Sequence, residues 1–193
     1  MSEIMEYSAA ALALAGIGLM TMRRRLGWIL NFASCLLYAR VFFESKLYGD
    51  SGLQFFFAAM QLWGWMHWNR HRTDIGLRLR YLSFDEAWNT LLMVLAGTLL
   101  LGSLLHHYTD TDVPWIDAFC TAASILGQVL QVMRFRENWW VWMLVNLVYM
   151  PLYLQKGLTA TALLYGLFFA MACWGLLQWN NILRQQQKTQ DFT

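Results

Sequence analysis

Seven apolar blocks constrain this chain more than any other feature. They run over about Met5–Met22, Leu26–Phe43, Ser51–Trp68, Ala87–Leu105, Ile116–Met133, Asn138–Leu154 and Thr159–Trp179. Each is near the ~20 residues that cross about 30 Å of hydrocarbon. Hydrocarbon offers no partner to a free peptide group, so each block is expected to be a helix. A water-soluble chain of 193 residues would also need a charged shell. Here 58% of the residues are hydrophobic and 13% charged, and the mean hydropathy is +0.36. The expected fold is an all-α membrane protein, with residues 1–193 forming a single transmembrane domain.

The charges between the blocks give an orientation. Of the 14 Lys and Arg residues, all but Arg40, Lys46 and Lys156 follow the first, third, fifth or seventh block. Cytoplasmic loops collect Lys and Arg, so the C-terminus is expected inside and the N-terminus outside. The basic segment "NRHRTDIGLRLR" then serves as a topology signal on anionic headgroups rather than as a nucleic-acid site. The start "MSEIMEY" is acidic and "RRR" follows the first block, the reverse of a signal peptide, so no cleavage is expected. Cys35, Cys120 and Cys173 all lie in apolar blocks. Their odd number and the lack of CxxC argue for packing rather than a disulfide or metal framework.

The chain also repeats. At an offset of 111 positions, Trp28 meets Trp139, Leu47 meets Leu158, and Phe57 meets Phe168. "WGWMHW" at Trp63–Trp68 meets "WGLLQW" at Trp174–Trp179. Blocks 1–3 (about 5–68) thus match blocks 5–7 (about 116–179), with block 4 (about 87–105) as a connector and 180–193 as a polar tail. The expected arrangement is 3+1+3, with parallel repeats. Transporters built this way hold substrate near the midplane, where the repeats meet.

Two helical stripes could bind something. Trp139, Trp142, Asn146, Tyr149 and Tyr153 are spaced 3, 4, 3 and 4 apart; Gln54, Ala58, Gln61, Trp65 and Trp68 are spaced 4, 3, 4 and 3 apart. Aromatic residues at block ends are often interface belts. Amides inside a block need another reason, because a buried amide without partners costs about 1–3 kcal/mol. They either bond between helices or hold a ligand. Indole faces stack on flat rings and attract cations, for about 2 kcal/mol when desolvated. A flat, polar, cationic small molecule suits both residue types.

Enzyme motifs are missing. The sequence has no GxxxxGK[ST], no G-x-S-x-G and no HExxH, and it implies no cofactor. His106 and His107 read as ordinary loop residues. Buried carboxylates, which ion-driven carriers usually keep, are also lacking: Asp117 and Glu137 stand at block starts. That favours passive transport.

"LYGDSGLQFFFAAMQLWGWMHW", "RENWWVWMLVN" and "LQKGLTA" together resemble the Pnu family of bacterial vitamin transporters. The spacing E-N-W-x-x-W-x-x-x-N carries most of the likeness. The resemblance implies seven helices related to the SWEET sugar carriers, a homotrimer, and passive entry of a vitamin that a cytoplasmic kinase then traps. It assigns substrate-binding roles to Gln54, Trp139, Trp142, Asn146 and Tyr165, beside Gln61, Trp65 and Tyr149 from the stripes. Nicotinamide riboside is the commonest cargo of the family, and thiamin or riboflavin are carried by others. Nicotinamide riboside carriers have Asn where this chain has Gln61 and Trp174. The lost amide and gained indole weaken a ribose-bearing substrate and make thiamin the alternative.

Overall fold

The computed structural model describes residues 2–44, 48–70, 72–73, 76–108, 113–155 and 159–190. Among them are seven helices: α1 (Ser2–Thr21), α2 (Leu26–Glu44), α3 (Tyr48–Arg70), α4 (Phe84–Tyr108), α5 (Pro114–Val132), α6 (Asn138–Gln155) and α7 (Thr159–Gln190). The all-helical expectation is met, with one helix per apolar block. A two-residue ladder, Arg72–Thr73 against Gly76–Leu77, lies between α3 and α4. Phe84–Tyr108, Pro114–Val132 and Ala162–Lys188 are each long and apolar enough to cross a membrane, and Tyr7–Thr21 is a shorter apolar helix. Lys46, Lys156 and the side chain of Tyr153 lie outside the described residues.

Local chemistry sets the helix ends. Ser83 and Glu86 form a reciprocal cap on α4: the Ser83 N–H donates to Glu86 Oε2 (2.8 Å) and the Glu86 N–H donates to Ser83 Oγ (3.3 Å). Pro114 opens α5, where its missing N–H costs nothing. α7 runs eleven residues past Trp179 into the polar tail. Nothing in "NNILRQQQKTQ" breaks a helix, so the backbone continues after the apolar stretch ends.

Two compact units are present: residues 1–78 with 177–193, and residues 79–176. In the first, α2 packs on both α1 and α3. A Cβ on Gly27 would lie 2.5 Å from the Gly16 carbonyl oxygen, so α1 and α2 approach through small residues. Ser34 Oγ donates to the Ala9 carbonyl (2.7 Å). In the second unit α5 packs on α4 and α6 around Val94, Ala123 and Val145. Outside that seam α4 is largely exposed and apolar, as at Leu91, Leu95, Leu99 and Leu100, a surface suited to lipid tails.

Local geometry recurs at the offset that relates the sequence matches. The turn after α1 places Arg23 at φ 57°, and the turn after α5 places Arg134, 111 positions later, at φ 69°. Both turns close with the same two hydrogen bonds. Arg24 N donates to Leu19 O (2.7 Å) and Arg23 N to Met20 O (2.9 Å); Phe135 N donates to Leu130 O (2.9 Å) and Arg134 N to Gln131 O (3.1 Å). This is a Schellman ending with arginine in the left-handed position that glycine usually takes. Gly64 seats the indole of Trp28, and Gly175 seats that of Trp139; a Cβ at either glycine would overlap the ring.

Candidate functional site

In the first unit, α3 carries Gln54, Gln61 and Trp65. Gln54 is half-buried. Gln61 is 6% exposed, and among the described residues its Oε1 has no hydrogen-bond partner. Trp65 stands at the rim, 37% exposed. Trp68 is fully buried in an aromatic cluster, 5.2 Å from Trp28 edge-on and 6.0 Å from Trp179. The stripe read from sequence therefore runs from buried amide to sealed aromatic cluster, with Trp65 at its outer side.

In the second unit, the E-N-W element divides its labour. Glu137 Oε2 accepts from the Leu82 N–H (3.0 Å), and Glu137 Oε1 pairs with Arg136 (3.0 Å). Arg80 N donates to Arg134 O and Arg136 N to Arg80 O, both at 3.0 Å. Arg80 also lies over the Phe135 ring, and Arg136 over that of Tyr81. Burial, and then the nearby Arg80, lowers the Arg134 pKa from its ordinary value. Asn138 Nδ2 donates back to the Phe135 carbonyl (2.6 Å). The acid thus fastens the α5–α6 turn to the stretch of chain before α4, and the first amide braces the turn itself. The rest of the element points down the helix. Trp139 is buried on Gly175, and Trp140 is exposed. Trp142 is half-buried beside Gly127, and Asn146 is 5% exposed.

Tyr149 and Tyr165 meet, their rings 5.2 Å apart, and Phe168 continues the contact at 5.9 Å from Tyr165. The Tyr149 side chain is hydrogen-bonded to that of Cys120 and packs on the Val94–Ala123–Val145 core. Trp174 is half-buried. The structure thus brings Tyr149 and Tyr165 together on α6 and α7, and places Trp139, Trp142 and Asn146 along α6. Buried amides that the stripes passed over are Asn31, Gln128 and Gln131. Asn31 Nδ2 donates to Met20 Sδ (3.5 Å), whereas Gln128 Nε2 has no partner among the described residues. On a helical wheel of α5, Gln128 and Gln131 fall on one polar face, a signal the sequence carries. No group of three or more His, Cys, Asp or Glu side chains that could hold a metal occurs among the described residues.

Long apolar helices that bury amides and indoles are those of a membrane-spanning protein. The family described as nicotinamide mononucleotide transporter matches residues 3–181, and the chain belongs to that family, the Pnu family of its sequence motifs. Among its relatives is the riboflavin/roseoflavin transporter RibM of Streptomyces davaonensis, 29% identical over 172 residues, which cover 84% of this chain and 80% of that protein. The nicotinamide riboside transporter PnuC of Escherichia coli is 24% identical over 196 residues, covering 88% and 82% respectively. The crystal structure of a vitamin B3 transporter PnuC superposes with a TM-score of 0.78 at 22% identity, over 94% of this chain and 82% of that one. The family is one of transporters rather than enzymes.

Proposed function

We propose that this protein carries a flat, polar vitamin across the bacterial inner membrane by facilitated diffusion, with nicotinamide riboside as substrate. One observation carries the reading: the Gln61 side-chain oxygen is buried in a helix with no donor among the described residues. An open buried acceptor costs about 1–3 kcal/mol unless something fills it, and a carboxamide or ribose hydroxyl supplies the missing donor. On α6, Trp142 offers a stacking face and Asn146 a hydrogen-bonding pin, with Trp139 the second indole of that stripe. Gln54, Trp65, Tyr149 and Tyr165 complete the proposed set. The nicotinamide riboside transporters among the relatives support this substrate.

Riboflavin is the second reading. The 29% identity to a riboflavin/roseoflavin transporter favours it, as does an indole at Trp174, which suits a larger ring system. Thiamin, the alternative raised by Gln61 and Trp174, is the third ligand to compare. Calorimetry of the purified protein against all three vitamins tests the assignment. Tightest binding of nicotinamide riboside supports it, tightest binding of riboflavin or thiamin replaces it, and binding of none overturns the vitamin reading.

The N-terminus is placed outside and the C-terminus in the cytoplasm, on the strength of the Lys and Arg residues after the odd-numbered apolar blocks. Green fluorescent protein fused after Thr193 should fluoresce, and alkaline phosphatase there should be inactive. A homotrimer, the 3+1+3 parallel repeat, and trapping of the cargo by a cytoplasmic kinase belong to the same proposal. Because Asp117 and Glu137 stand at block starts rather than deep in the spans, where ion-coupled carriers keep a carboxylate, proteoliposomes should equilibrate substrate without concentrating it under a proton or sodium gradient.

A further inference from the structure

α5 carries a polar stripe that the binding residues above do not include. Asp117, Thr121, Ser124, Gln128 and Gln131 are spaced 4, 3, 4 and 3 apart, which puts them on one face of the helix for its whole length. A helix through hydrocarbon has no use for such a face unless something polar meets it. Asp117, Thr121 and Ser124 are half-buried, and Gln128 and Gln131 are buried. The stripe does not face α4. Ala122 of α5 lies against Gly97 of α4, and Phe119, Ala123 and Leu126 belong to the apolar core around Val94 and Val145; at 100° per residue these lie on the other side of the helix. α6 approaches through Gly127, whose neighbours are Val141 and Trp142, and through Cys120, bonded to Tyr149.

Within the stripe Gln128 stands out. It is 4% exposed, and among the described residues its Nε2 has no hydrogen-bond partner. It follows directly on Gly127, the glycine that lies against Trp142. A buried amide N–H without an acceptor is as costly as the open oxygen of Gln61. We infer that the polar face of α5 lines the transport path and that Gln128 donates an N–H to a carbonyl oxygen of the passing substrate. This rests on the transporter reading above and narrows it. The substrate then presents a hydrogen-bond acceptor to α5, such as the carboxamide oxygen of nicotinamide riboside or a ring carbonyl of riboflavin.

Two measurements test this. Gln128→Leu and Gln128→Glu both remove the N–H donor, and the second keeps the shape. Each should raise the dissociation constant for nicotinamide riboside or riboflavin about 5- to 150-fold, while the melting temperature of Gln128→Leu holds or rises. An unchanged dissociation constant with a raised melting temperature would show an idle buried amide and overturn the inference. Wild-type protein that binds no vitamin overturns the transporter substrate reading instead, and this inference with it. In a background with Cys35, Cys120 and Cys173 changed to alanine, a charged methanethiosulfonate should modify Thr121→Cys and Ser124→Cys, and bound vitamin should slow the reaction. Leu126→Cys, on the α4 side, should stay unreacted. Equal labelling of all three, or of none, contradicts a lined path.

Discussion

Trp179 donates its indole N–H to the main-chain carbonyl oxygen of Thr21, 3.1 Å away across 158 residues of sequence. The carbonyl belongs to the last turn of α1, where helical partners run out. The bond ties the C-terminal part of α7 to the first hairpin of the same unit, and the Trp68 ring packs beside it. Trp179→Phe keeps most of the ring and deletes the bond. It should lower stability by about 1 kcal/mol, or ~2–4 °C for a chain of this size, in a detergent melting curve. An unshifted curve would mean that water or another donor replaces the indole.

The two glycine seats make a paired prediction. A methyl group at Gly175 would lie 2.5 Å from Cδ2 and Cε2 of Trp139, and one at Gly64 would overlap Trp28. Neither indole is free to swing, since both are fully buried. Gly64→Ala and Gly175→Ala should each cost about 1–3 kcal/mol through overpacking. Gly166→Ala is the control: its nearest neighbour would be Met150 Sδ at 3.6 Å, an ordinary contact, and its melting point should hold.

Arg23 and Arg134 adopt a backbone conformation that β-branched residues avoid. Arg134→Val should destabilise by more than about 1 kcal/mol, and Arg134→Asn by less, because asparagine tolerates the left-handed region. Arg23→Val and Arg23→Asn should rank the same way. If valine and asparagine melt alike at both positions, the turns relax to another geometry and the Schellman bonds are dispensable.

Binding should depend on α6. Asn146→Leu should weaken vitamin binding about 5- to 150-fold with an unchanged melting temperature, and Trp142→Ala by a comparable factor. Trp142→Phe should cost less, since a benzene ring still presents a face. A lowered melting temperature with intact affinity at Asn146→Leu would make that amide a helix-packing residue.

Much of this was legible in the sequence because hydropathy and helix ends are local properties. Each apolar block became a helix, and the boundaries of α2 and α6 moved by at most one residue from the apolar blocks. The extension of α7 beyond Trp179 was not legible, since a drop in hydropathy marks the end of an apolar surface and not of a hydrogen-bonded backbone. Arginine at the left-handed position hid both turns, where glycine would have announced them. Trp139 had two readings from sequence, ligand wall or packing. Its seat on Gly175 depends on a residue 36 positions away, which no spacing within α6 reveals. Glu137 looked like a charge at a helix start. Its bond to Leu82 is a long-range contact of the same kind.

The depth of the tryptophans has an optical consequence. Trp28, Trp68, Trp139 and Trp179 are four of the chain's 11 indoles, and each is under 2% exposed. Their emission comes from apolar surroundings, so it should be shifted to the blue and resist quenchers dissolved in water. Half-buried Trp142 and Trp174 and exposed Trp140 emit from less uniform environments. The protein thus carries a steady fluorescent background from these four together with a responsive fraction from the less buried indoles. Along α6, Trp142 is the member of that fraction a stacked vitamin ring would dim.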